Sequence, residues 1–123
     1  MVEAAAWVYA GLVGLTCLFH LAIIWGAPWG SLTMGGRWPG RLPVLARILS
    51  LASALLLVVM ALVVLAQAGI LEADLPHWAH WAVAGLTLVS VLANAATPSP
   101  PERLVWLPVT LILLICLGIV LWA

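Results

Sequence analysis

The chain alternates between long apolar stretches and short segments that hold its few charged residues, glycines and prolines. No charged residue occurs between Glu3 and Arg37, nor between Arg47 and Glu72. A helix needs roughly 20 apolar residues to cross about 30 Å of hydrocarbon. The pattern predicts an all-α, integral membrane four-helix bundle. It forms a single transmembrane domain over 1–123, with helices at 4–26, 44–68, 77–96 and 102–122.

Glycine and proline mark the predicted connections. Gly26 to Pro28 should end the first helix, and Thr97 to Pro101 should end the third, because proline cannot continue a helix interior. The first connection, 27–43, is rich in Gly, Pro and Trp. Two interpretations stay open for it: a segment that lies along the membrane interface, or an ordinary structured loop.

Composition agrees with a membrane protein. Apolar residues make up 67% of the chain and charged residues 7%, whereas a soluble domain carries about 25% charged residues. The net charge is zero, so no basic surface for nucleic acid is expected, and the lipid bilayer is the expected partner. Cys17 and Cys116 fall within apolar segments and are interpreted as core residues rather than a disulfide pair.

The arginines predict the orientation of the bundle. Arg37, Arg41 and Arg47 lie in or beside the first connection, and Arg103 borders the third. The second connection has no basic residue. The positive-inside rule then places the first and third connections in the cytoplasm and both termini on the non-cytoplasmic side.

Tryptophan positions agree with these boundaries, because the indole ring prefers the membrane–water interface. All eight tryptophans fall near a predicted helix end and are expected to be interface anchors. They are Trp7, Trp78, Trp81 and Trp122 at the outer ends, and Trp25, Trp29, Trp38 and Trp106 at the inner ends.

Polar residues within the bilayer are costly and indicate an interior face or a functional site. On the third helix His80, Thr87, Ser90 and Asn94 share one stripe at spacings of three, four or seven residues. The stripe should face the bundle interior or another subunit. Hydrogen bonding between helices is the simpler interpretation, and ligand binding is the alternative.

A second candidate cluster lies near the cytoplasmic ends of three helices. By depth, His20, Arg47 and Asn94 could converge there, with Ser50 one turn beyond Arg47. Such a cluster would suit an anionic or polar headgroup or a small substrate. The alternative is that Arg47 reaches lipid phosphates while His20 bonds a backbone carbonyl.

His77 and His80 are a weaker candidate for a metal site. Histidines three residues apart on a helix can ligate one metal, and Glu72 and Asp74 precede them. Interfacial histidines beside tryptophan are the simpler interpretation. No nucleotide, hydrolase, metalloprotease or dithiol motif occurs, and no cofactor is expected.

The runs GAPWG and GGRWPG, with NAATPSPPERLVWLP later, resemble a family of small four-helix bacterial inner-membrane proteins. The resemblance covers nearly the whole chain and implies a multi-pass protein of the bacterial plasma membrane. It brings no activity and no functional residues.

Three functions follow as hypotheses from these patterns. The leading one is a non-enzymatic binding or accessory bundle, which acts through lipid, copies of itself or a larger membrane complex. The second is an oligomeric transporter or channel for ions or small solutes, built around the third helix's polar stripe. The third is an intramembrane enzyme acting on a lipid-like substrate with His20 as its acid–base group.

Overall fold

The structure, a computed structural model, describes all 123 residues and is helical throughout, with no strand. Each of the four helices is long and apolar enough to cross a membrane. At a rise of 1.5 Å per residue, the shortest helix spans about 27 Å and the longest about 36 Å. The helices are α1 (Val2–Ile24), α2 (Val44–Gln67), α3 (Ala79–Ala96) and α4 (Pro100–Trp122).

Several helix bounds differ by two residues from the predicted ones. Helix α1 ends at Ile24 rather than 26, because Gly26 takes a φ of 106° and closes the helix. The N–H groups of Gly26 and Ala27 donate to the carbonyls of Ile23 and Ala22, which is a Schellman closure.

The other differences concern the starts of helices and the end of α2. Gly69, with φ of 80°, closes α2 in the same way one residue earlier than predicted. Helix α4 begins at Pro100 rather than 102, since proline fits the first helical turn. Helix α3 begins at Ala79 rather than 77, and no side chain caps its N-terminus.

The helices run up and down around the bundle. Helix α1 packs along α2 and α4, and α3 packs along α4, whereas α2 and α3 touch much less. Helices α1 and α3 therefore occupy opposite corners. We call the end that carries both termini and residues 68–78 the terminal end. The opposite end, with residues 25–43 and 97–99, is the loop end.

The main apolar core fills the terminal half of the bundle. All four helices contribute to it, and small residues such as Ala6 and Ala61 let the backbones approach closely. A smaller cluster of Ile23, Leu42 and Ala46 lies at the loop end, where α1 meets the start of α2. Both cysteines are free, and Cys116 belongs to the main core.

The outer surface of the bundle is apolar. Only 26 of the 123 residues are buried, and leucine, valine and isoleucine dominate the exposed positions along the helices. A water-facing surface of this kind would aggregate, whereas lipid tails accept it. The structure is therefore that of a small multi-pass membrane protein.

One hydrogen bond joins the two diagonal helices at mid-bundle. Tyr9 Oη and Thr87 Oγ1 are 2.9 Å apart, and both side chains are buried. Thr87 donates its single hydroxyl hydrogen to the carbonyl of Val83, at 2.8 Å. Tyr9 is therefore the donor to Thr87. This bond ties α1 to α3 across the bundle.

We expect Thr87→Val to destabilise the bundle more than Tyr9→Phe does. Valine leaves the buried Tyr9 hydroxyl without an acceptor, which costs about 1–3 kcal/mol. Phenylalanine removes only the bond, worth about 0.6–1.7 kcal/mol in membrane helices. The measurement is reversible unfolding in mixed micelles for both variants and the double variant.

Thr16→Val is the control, because Thr16 bonds only the carbonyl of Leu12 in its own helix. Additive effects of the two changes would contradict this coupling.

Candidate functional site

A cavity of about 250 Å³ lies in the loop half of the bundle, below the main core. All four helices and the first connection contribute to its walls. We call it the lateral cavity. Its polar lining residues are Tyr9, Thr16, His20, Thr33, Ser53, Thr87, Ser90, Asn94, Glu102 and Thr110. No other part of the membrane-spanning region gathers as many polar groups.

The cavity opens sideways between α2 and α3. These two helices touch little, whereas α1 and α4 pack together and form the back wall. Ser53 and Leu56 of α2 line the cavity and are also exposed on the surface. Ser90 and Asn94 of α3 are half-buried on the opposite side of the gap. A molecule could therefore enter from the hydrocarbon of one leaflet.

The first connection closes the cavity at the loop end. It forms two short 3₁₀ turns, Gly30–Leu32 and Met34–Gly36. The N–H of Gly30 donates to the carbonyl of Gly40 at 2.8 Å, which folds the segment back on itself. A Cβ at position 30 would overlap the carbonyl of Trp38, so only glycine fits. The segment is thus a structured loop packed under the helices.

Helix α4 and the residues just before it hold this loop in place. Trp106 Nε1 donates to the carbonyl of Leu32 at 2.7 Å. Ser99 Oγ donates to the carbonyl of Ser31. The N–H of Gly35 donates to Glu102 Oε2 at 2.8 Å. Loop and cavity wall are therefore one hydrogen-bonded unit.

At its inner end the cavity stops at the Tyr9–Thr87 hydrogen bond. Beyond that bond lie the main core, which includes Met60, Leu113 and Leu117, and a second cavity of about 260 Å³ with an apolar lining from α3 and α4. The lateral cavity is thus closed at the loop and at mid-bundle, and its opening is lateral. No continuous polar path crosses this single chain.

His20 holds a defined position on the cavity wall. Its Nδ1 lies 2.9 Å from Ser50 Oγ. Ser50 is fully buried and has no other side-chain partner, so its hydroxyl is best satisfied by donating to Nδ1. The remaining hydrogen of the neutral ring then sits on Nε2, which has no partner within the chain.

Glu102 is a cavity residue that the sequence interpretation did not single out. It lies in the first turn of α4, where the helix dipole stabilises a carboxylate. Its Oε2 accepts hydrogen bonds from Gly35 N–H and, at 2.8 Å, from Thr97 Oγ1. Its Oε1 has no partner within the chain. In the sequence, an acidic residue directly after a proline-rich loop has the pattern of an ordinary helix N-terminus, so it does not indicate a cavity residue.

The predicted ligand-binding residues divide into two groups. His20, Thr87, Ser90 and Asn94 line the lateral cavity, and Ser50 lies behind His20. Arg47 does not line the cavity, contrary to its expected convergence with His20 and Asn94. Its Nε donates to the carbonyl of Leu42 at 2.9 Å, which turns the guanidinium toward the loop.

His77 and His80 lie at the terminal end, far from the cavity. Their ring centroids are 6.1 Å apart in an edge-to-face arrangement, and His80 also packs against Trp81. No third His, Cys, Asp or Glu joins them to form a metal-binding group. The structure therefore gives these two histidines aromatic neighbours and no further ligand.

Most tryptophans are exposed at the two ends of the bundle, including Trp25, the most exposed at 84%. The other exposed ones are Trp7, Trp29, Trp78, Trp81 and Trp122. Trp38 is half-buried, with the Arg37 guanidinium 4.9 Å from its ring centroid. Trp106 differs from the expected interface anchor, because it lines the cavity and packs 4.8 Å from Phe19.

Comparison with protein families, curated proteins and solved structures found no match. The resemblance based on GAPWG and GGRWPG stays a prediction. Functional inference therefore depends on the geometry of the cavity.

We expect Gly30→Ala to displace the loop under the cavity, because its Cβ would meet the Trp38 carbonyl. The free energy of unfolding should fall by more than about 1 kcal/mol, a size typical of backbone clashes. Protease cleavage within 27–43 should also become faster. Gly11→Ala is the control, since no atom lies within 4 Å of a Cβ there. If both variants behave alike, the loop is not held as described.

Proposed function

We propose that this chain is a small, non-enzymatic membrane protein that binds one amphiphilic molecule from the surrounding bilayer. The observation that carries the proposal is the lateral cavity. Its polar walls lie within the membrane half at the loop end, and its opening faces lipid between α2 and α3. A headgroup would lie among the polar side chains while its tail extends through the opening.

The polar lining suits an occupant of this kind. Polar groups that face hydrocarbon without partners are costly. The lone pairs of Ser53 and Ser90 at the opening have no acceptor role within the chain. A headgroup or water can supply their partners, and the apolar rim at Leu56 and Leu57 suits the upper part of a lipid tail.

The channel alternative has less support from this geometry. Thr87, Ser90 and Asn94 line the chain's own cavity, with Ser90 and Asn94 beside its lateral opening. In the terminal half of each chain, the main core and the cavity between α3 and α4 are apolar. Assembly into a homo-oligomer or a larger complex stays a prediction.

The enzyme alternative retains His20 in the cavity but lacks a reactive partner there. Ser50, the hydroxyl bound to His20, is fully buried behind the cavity wall and cannot reach a substrate. Arg47, the expected electrostatic partner, is turned toward Leu42. Binding without chemistry accounts for these placements with fewer assumptions.

We also propose that the loop end faces the cytoplasm of a bacterial cell. All four arginines lie at that end, beside the first and third connections. Both termini then lie on the non-cytoplasmic side of the plasma membrane. The bacterial assignment rests on the family resemblance.

Reporter fusions test this orientation. Alkaline phosphatase, which is active only outside the cytoplasm, should be active when fused after Ala123 and inactive when fused after Gly40. A green fluorescent protein should give the reverse pattern at the same two sites. The positive-inside rule supplies the reason, because the connections rich in arginine are retained in the cytoplasm. Active phosphatase after Gly40 would contradict the proposed orientation.

Photo-crosslinking in liposomes tests occupancy of the cavity. A phosphatidylethanolamine with a diazirine in its acyl chain should label cavity residues such as Leu57 in a saturable manner. Ser90→Trp fills the opening and should reduce that labelling several-fold. Val89→Trp is the matched control, because Val89 is exposed and does not line the cavity.

Labelling of the lipid-facing residue Leu55 should stay the same in both variants. Equal labelling of Leu57 in Ser90→Trp and Val89→Trp would contradict occupancy of the cavity. Labelling of Leu57 that never saturates would mean contact with bulk lipid only.

A further inference from the structure

Four hydroxyl groups around the lateral cavity share one hydrogen-bonding pattern. Each of the four donates its only hydrogen to a carbonyl of its own helix, four residues earlier. The donors are Thr16, Ser53, Ser90 and Thr110, with distances of 2.8 to 3.0 Å. A hydroxyl that has donated its hydrogen keeps only lone pairs. Toward the cavity these four groups are therefore acceptors.

Two further acceptors complete the pattern. Asn94 uses one amide hydrogen to bond the carbonyl of Ser90 at 2.7 Å, and its Oδ1 has no partner within the chain. Glu102 Oε1 likewise has no partner. The remaining donors are few: Thr33 Oγ1, the second hydrogen of Asn94 and His20 Nε2. The cavity thus offers more acceptors than donors.

Glu102 is the only formally charged residue that lines the cavity. The arginines are directed elsewhere. Arg47 and Arg103 donate to the carbonyls of Leu42 and Thr97. Arg37 lies over the ring of Trp38, and Arg41 packs against Gly26. An anionic headgroup would find no cation in the cavity and would face a carboxylate.

A primary ammonium group is the complement of such a wall. It carries one positive charge and three donors and has no acceptor. Hydrogen bonds in which the donor or the acceptor is charged are roughly twice as strong as neutral ones. A quaternary ammonium group has the same charge but no hydrogen to donate.

His20 adds a donor that an ammonium group alone does not use. It lies one turn inside the end of α1, and Glu102 lies in the first turn of α4. An acceptor oxygen beside the ammonium group, such as a phosphate or ester oxygen, would meet His20 Nε2 there. The tail would then continue toward the opening.

We propose that the lateral cavity recognises the primary ammonium headgroup of an aminophospholipid-like amphiphile, with Glu102 and the hydroxyl lone pairs as acceptors. This inference rests on the proposed function, since it names the class of molecule that the cavity takes. It adds a chemical selectivity that occupancy alone does not require.

Headgroup competition tests the proposal on the full chain in phosphatidylcholine liposomes. The probe is a trace of the diazirine phosphatidylethanolamine, and labelling of Leu57 is the readout. Unlabelled phosphatidylethanolamine should displace the probe at about one tenth of the mole fraction that phosphatidylglycerol needs. The phosphatidylcholine background, with its quaternary ammonium group, should compete poorly.

Glu102→Gln is the variant that removes the charge while it preserves the loop contacts. Its amide carbonyl can still accept from Gly35 N–H and Thr97 Oγ1, and its amide group replaces Oε1 with a donor. The preference for phosphatidylethanolamine should fall about tenfold. Unchanged protease resistance of 27–43 verifies that the loop remains in place. Glu72→Gln, exposed at the terminal end, is the control and should retain the preference.

Three outcomes would overturn the proposal. Equal displacement by phosphatidylethanolamine and phosphatidylglycerol would remove headgroup selectivity while occupancy of the cavity remained. Strong competition by phosphatidylcholine would assign the recognition to the aromatic faces of Phe19 and Trp106 instead. An unchanged preference in Glu102→Gln with the loop intact would exclude the carboxylate as the acceptor.

Water-soluble phosphoethanolamine separates the two possible sources of the headgroup. It should not displace the probe, because it has no tail to occupy the opening. Displacement at low concentration would place a free amine in the cavity and contradict binding of a lipid. Absence of saturable labelling with every headgroup would instead contradict the proposed function itself.

Discussion

Within hydrocarbon, a polar hydrogen without an acceptor is costly, and this constraint organises the bundle. The Tyr9 hydroxyl meets it by donating to Thr87, and Thr87 in turn donates to the carbonyl of Val83. This chain of bonds links the diagonal helices α1 and α3. On its terminal side the helices form the main apolar core, and on its loop side α2 and α3 leave the lateral cavity open between them.

The same constraint determines what the cavity can recognise. Ser53, Ser90 and Thr110 satisfy their hydrogens within their own helices, so they present lone pairs to the cavity. Glu102 adds a carboxylate at the loop end, and the arginines are held outside. Because these hydroxyl hydrogens are bonded within their own helices, the cavity wall presents mainly hydrogen-bond acceptors. A donor-bearing cation complements that wall, and an anion does not.

The four helices could be predicted from the sequence, because the length and apolarity of each segment, and the helix boundaries at Gly26 and Pro100, depend on local residues. The sequence also predicts a stripe of His80, Thr87, Ser90 and Asn94, since residues three and four apart share a helix face; the last three line the cavity, and His80 does not. The stripe's placement on the chain's own cavity required the packing of α2 and α3, which no local pattern encodes.

The composition of the candidate site was harder to predict. Depth alone predicts Arg47 in it, but Arg47 donates to the carbonyl of Leu42 and does not line the cavity. Glu102 was missed because its role depends on the first connection folding back beneath α4. The sequence places Trp106 at the interface, because it does not show that the first connection folds back beneath α4. In the structure the indole N–H of Trp106 donates to the carbonyl of Leu32 and holds the loop. Such contacts join residues about 70 positions apart in sequence.

Native mass spectrometry of the unmodified chain, released from its own membrane in mild detergent, shows most directly whether the cavity holds an amphiphile. We expect one stoichiometric added mass per chain, which on dissociation yields an amphiphile with a primary amine. A bare chain, or adducts in the same proportions as the bulk membrane lipids, would contradict it.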